Sequence, residues 1–122
     1  MGINMDSYTR FTGLETEELK CRNAAIEGVM TCKKTITVSA DRVLNSSESN
    51  AVVVGITASA ASKTVTLGLR AGQILFVINE GSANAFTLKN VSGDTGTSVG
   101  AGKVCLVVGS DTVDASGIYL LN

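Results

Sequence analysis

Apolar and polar residues alternate through much of the chain after residue 34, and one break in the alternation stands out. Ile74-Leu75-Phe76-Val77-Ile78 is a run of five large apolar residues between Gly72 and Gly81. A run that short, bracketed by turn residues and rich in β-branched and aromatic side chains, predicts a strand buried on both faces. Its neighbours, Thr64-Val65-Thr66-Leu67-Gly68-Leu69 and Ala85-Phe86-Thr87-Leu88-Lys89, alternate and predict strands buried on one face. In a chain of 122 residues, one of the two covers over the central strand is expected from another subunit.

The same pattern places strands at Thr35–Ser39, Ala51–Ala58, Lys63–Leu69, Gln73–Asn79, Ala85–Asn90, Lys103–Gly109 and Gly117–Leu121. A period of two with frequent turns predicts an all-β fold, a β-sandwich or jelly-roll-like barrel of about seven strands. Asn45 to Asn50 reads as a polar loop and Glu80 to Asn84 as a hairpin turn. No internal repeat is visible. Along the central strand, Ile74, Phe76 and Ile78 share one face and Leu75 and Val77 the other. One set is expected in the subunit core and the other at an interface; the pattern leaves open which.

Charge divides the chain. Residues 1–34 carry Asp6, Arg10, Glu15, Glu17, Glu18, Lys20, Arg22, Glu27, Lys33 and Lys34, nearly half of all charged side chains. This predicts an N-terminal arm over 1–34 and a β domain over 35–122. Within the arm, Thr12 and Glu15 are spaced as a capping box, acidic residues precede Lys20 and Arg22, and Gly28 follows, predicting a short helix over 14–28. Tyr8, Phe11 and Leu14 are the arm's candidate docking residues.

Composition then narrows the function. Only 17% of residues are charged and 44% are hydrophobic, with no Trp or Pro, which fits a surface partly hidden by assembly. A net charge of −1 with scattered Lys and Arg argues against nucleic acid as a partner. The chain has no His, which removes the usual general base, the Ser-His and Cys-His pairs and the commonest zinc ligand. Cys21, Cys32 and Cys105 follow neither a metal-ligand spacing nor a disulfide framework, and Cys105 reads as a small buried apolar residue. No apolar run approaches membrane-spanning length and none resembles a signal peptide, so neither a membrane partner nor export is expected.

Asp94-Thr95-Gly96-Thr97-Ser98 resembles an aspartic protease loop, which in a homodimer would bring two aspartates to one water. Val91-Ser92-Gly93 before it is turn-like, so Asp94 reads first as a carboxylate satisfying turn amides. Gly102-Lys103 fails the phosphate-loop spacing, with Thr97 in place of the first Gly and Val104 in place of the hydroxyl residue. Asp111 and Asp114 offer two carboxylates, short of the six or more oxygens of a calcium cage. No catalytic site, cofactor or metal is expected.

The layout Lys63 to Leu69, Ala71 to Ser82 and Phe86-Thr87-Leu88, then a Gly-rich loop, a strand at Lys103–Gly109 and a closing strand from Gly117, resembles the β modules of bacteriophage head-fibre and capsid-decoration proteins over residues 35–122. That resemblance implies a homotrimer on the outer surface of a phage head, with the major capsid protein as partner and the virion as location after synthesis in the host cytoplasm. The expectation is a structural, non-enzymatic capsid decoration or cement protein, or the base of a head fibre. The alternative is a glycan- or receptor-binding fibre module using the loops at Glu80–Asn84 or Asp111–Ser116. A homodimeric protease built on Asp94 is the remote third.

Overall fold

The computed structural model describes residues 32–122. The expected arm, with its helix over 14–28 and with Tyr8, Phe11 and Leu14, lies outside the described residues. From Lys33 onward the chain is all-β. Its strands are β1 (Lys33–Val38), β2 (Arg42–Val43), β3 (Val53–Ala58), β4 (Lys63–Thr66), β5 (Ile74–Asn79), β6 (Phe86–Lys89), β7 (Thr97–Val99), β8 (Val104–Val108) and β9 (Gly117–Leu120). All seven expected strands are present; the two additional ones, β2 and β7, are too short to register as an alternation. They form two sheets, a five-stranded one in the order β1-β3-β5-β8-β9 and a four-stranded one in the order β2-β4-β6-β7.

The route of the chain differs from a meander of hairpins. From β1 to β6 successive strands fall in opposite sheets, and each pairs in parallel with its counterpart one turn earlier: β1 with β3, β3 with β5, β2 with β4 and β4 with β6. Parallel neighbours need a crossover of a dozen or more residues. Here the crossover is the strand in the other sheet, so the chain winds as a flattened coil. Lys33 pairs with Val53, 20 residues on, and Val53 with Phe76, 23 on. This is a structural repeat that the residue identities do not show. The segment after β5 is accordingly a corner between sheets and not the expected hairpin turn. The antiparallel strands β7, β8 and β9 then close one end of the coil.

The two sheets share one core. Ile36, Val38, Val54, Ile56, Leu75, Val77, Cys105 and Val107 project from the larger sheet, and Val65, Phe86, Leu88 and Val99 from the smaller. Leu44, Leu67 and Leu69 fill the corners between them. The expected polar loop after Leu44 is a single helical turn, α1 (Ser46–Ser49). Asn45 and Glu48 cap it reciprocally: Asn45 Oδ1 accepts from Glu48 N at 3.0 Å, and Glu48 Oε1 accepts from Asn45 N at 3.1 Å.

Candidate interaction face

β5 is the middle strand of the five-stranded sheet, and its alternation sorts the apolar run cleanly. Leu75, Val77 and Asn79 are fully buried in the core. Ile74, Phe76 and Ile78 point the other way, with Ile74 58% and Phe76 38% exposed. Within the single subunit only one of the strand's two apolar faces is covered. The two sheets cover one face, and the other is open to solvent.

The register extends that open face across the sheet. Val53, Phe76, Leu106 and Tyr119 form one row of directly paired residues. Ile78 and Val104 continue a second, joined by Leu121 through its N–H to Val104 O. Ile74 and Val108 make a third. The sequence signal for β8 lay in Val104-Cys105-Leu106-Val107-Val108, a second uninterrupted apolar run. Val104, Leu106 and Val108 share the outer face, and Cys105 is buried as expected.

Two glycines shape the relief of this surface. A Cβ on Gly55 would collide with the Glu80 carboxylate, which lies over that position and pairs with Lys33. A Cβ on Gly117 would collide with the Tyr119 ring, which folds back over it. Both long side chains therefore lie down on the sheet, where no side chain stands beneath them. The smaller sheet presents a different outer surface. Thr64, Thr87 and Ser98 form one row; in the next, the exposed Val43 pairs with Thr66, which is buried, and Thr66 with Lys89. The larger sheet thus shows mostly hydrocarbon over β5, β8 and β9, and the smaller mostly hydroxyls beside the one exposed Val43.

The polar residues singled out for chemistry form a clasp at the edge of the sandwich. Asp94 Oδ2 accepts from Asn90 N and Val91 N, each at 2.9 Å, and Asp94 Oδ1 accepts from Asp114 N at 2.6 Å. Asp114 Oδ1 in turn accepts from Thr95 N at 2.6 Å. Burial raises the Asp94 pKa, but the N–H donors of Val91, Asp114 and Asn90, helped by the charge of Lys89, outweigh it and hold the carboxyl below its usual range. A carboxylate so committed to backbone donors has the bonding of a turn, not of a base poised on water.

Thr95, Thr97, Asp114 and Ser116 line a small open cleft of about 210 Å³ beside this clasp. Among the described residues, no three His, Cys, Asp or Glu side chains gather as metal ligands. The other candidate loop is equally occupied. Asn84 Nδ2 donates to Ala58 O, and Glu80 is taken by Lys33.

Comparison with protein-family models, with curated proteins and with solved structures found no match for this chain.

Proposed function

We propose that this chain is a structural virion protein, a homotrimer that decorates or cements the outer surface of a phage head or forms the base of a head fibre. The observation that carries the reading is the contrast between the two outer sheet faces. A soluble subunit acting alone gains nothing from a contiguous face built of Val53, Ile74, Phe76, Ile78, Leu106 and Tyr119. Exposed apolar surface of that extent marks an association site. The hydroxyl-rich face of the smaller sheet suits the side left in water. Cementing requires no catalysis, only interface area that must be broken before the shell can open. The major capsid protein is the partner, and Tyr8, Phe11 and Leu14 of the arm are its contacts or those of a neighbouring subunit.

Gold-labelled antibody against the protein, applied to intact particles from a lysate that contains it, tests this directly. Label over the head surface is the expected result. Label confined to fibre tips favours the glycan- or receptor-binding alternative, for which the cleft at Asp114 and Ser116 is the place to look. Particles that carry no label overturn both.

A further inference from the structure

The geometry points to a three-fold prism: the outer faces of the five-stranded sheets of three copies pack around an axis that runs along β5, with Ile74, Phe76 and Ile78 forming its central layers. This rests on the proposed homotrimer and adds which surface makes it and how it closes.

The first argument is area. The exposed hydrocarbon of the face is on the order of 600 Å² per subunit, as much as the largest apolar patch of an ordinary monomer. Closing three such faces around one axis removes most of that hydrocarbon from water in every copy. A second copy of the chain is the partner certain to be present wherever the first is made.

The second argument is shape, and it selects the symmetry. Strands lie ~4.8 Å apart, so a five-stranded sheet is about 24 Å wide. Three sheets of that width closed into a triangle leave about 7 Å between the midline of each sheet and the axis. That is room for one large side chain per subunit. The share of space falls towards zero at the corners, where neighbouring sheets meet. A sheet suited to this role must be tall along its middle strand and low at both edges.

The outer face has that profile. β5 is the third of five strands and carries Ile74, Phe76 and Ile78. On one side, β3 offers Val53, Thr57 and Gly55 under the flattened Glu80, and edge strand β1 offers only Thr35 and Thr37 beyond Lys33. On the other side, β8 has Val104, Leu106 and Val108. The edge strand β9 has Gly117, with the ring of Tyr119 laid over it, and the one tall side chain at this edge, Leu121, stands just past the strand's end. A pair of sheets packed face to face keeps a uniform ~10 Å spacing across its whole width. Two such ridges would meet crest to crest and leave the flanks unfilled. Around a three-fold axis the ridge fills the wedge that each subunit owns.

Light scattering after size exclusion, on the full chain at micromolar concentration, reads the outcome. The parent protein should elute at three chain masses. Phe76→Glu and, separately, Ile74→Lys should elute at one chain mass with the parent's far-UV circular dichroism, because both side chains are exposed in the subunit. Ser98→Glu, on the hydroxyl-rich face, should remain at three.

A parent of two chain masses overturns the prism in favour of face-to-face pairing. A parent of one chain mass overturns self-association. A trimer that survives both charged substitutions places the contact elsewhere. The prism and the virion reading fail separately. Trimers abolished by Phe76→Glu, with particles that carry no label, keep the prism and end the decoration reading. Labelled heads with trimers indifferent to both substitutions do the reverse.

Discussion

Asn79, Asn90 and Asp94 are buried polar side chains, and each holds strands or corners that the coil does not pair on its own. Asn79, at the end of β5, donates through Nδ2 to Asn84 O and Val99 O, both at 2.9 Å, and accepts from Gly81 N at 3.0 Å. It ties the corner after β5 to the end of β7. Asn90 accepts from Leu69 N at 2.6 Å and donates to Leu69 O and Ser110 O. Buried donors and acceptors left unpaired cost roughly 1–3 kcal/mol. Asn79→Ala should lower the unfolding free energy by about that much in urea titrations. Asn79→Asp should cost more, because it sets a carboxylate against two carbonyl oxygens.

Asp94 gives a pH dependence of known sign. Its folded pKa lies below the unfolded value near 3.8, so its contribution is complete above that pH. The contribution declines as pH falls below it and is gone once pH passes the folded pKa. Urea midpoints measured between pH 7 and pH 3 should therefore fall less steeply for Asp94→Asn than for the parent. At Cys105, burial pushes the thiol up to about 11. At pH 8 a thiol reagent should leave Cys105 unmodified until denaturant is added, while the exposed Cys32 reacts at once.

At the scale of the element, β5 shows how one strand serves two environments. Residues one apart face opposite sides, so neighbouring substitutions should have unlike consequences. Leu75→Ala empties a fully buried site and should cost ~2–5 kcal/mol of subunit stability. Ile74→Ala removes a side chain 58% exposed, so it should leave the subunit's own unfolding almost unchanged and weaken self-association instead. Denaturation at a concentration where the subunits are dissociated, set beside light scattering at high concentration, separates the two effects. β8 repeats the arrangement, with Cys105 and Val107 inside and Leu106 and Val108 outside. Its alternation looks the same whichever face is inward, and for that reason the pattern did not tell core from surface.

For the whole molecule, the coil makes β1, β3 and β5 neighbours of residues 20 or 23 positions away. The assembly adds contacts that no subunit can make by itself. If three copies share the apolar face, the folded state is linked to association. The melting temperature of the parent should then rise with protein concentration, whereas that of Phe76→Glu should not. Calorimetry over a hundredfold range of concentration distinguishes them.

The alternation after residue 34 was enough to establish an all-β chain with strands at seven places, because side chains on a strand change sides at every residue. The five apolar residues between Gly72 and Gly81 likewise marked a strand with two apolar faces, and the buried state of Cys105 followed from its apolar surroundings. Which face is inward was a tertiary decision. It depends on whether Leu75 and Val77 or Phe76 meet the opposite sheet, and all are apolar. The parallel coil was hidden for a similar reason. Backbone pairing sets its register, and the three turns share spacing but not residues. The seats at Gly55 and Gly117 also needed the fold, since only three-dimensional proximity lays Glu80 over one and shows the Tyr119 ring folded over the other. Local periodicity determined the strands; the partner across each face was decided only when the chain closed on itself.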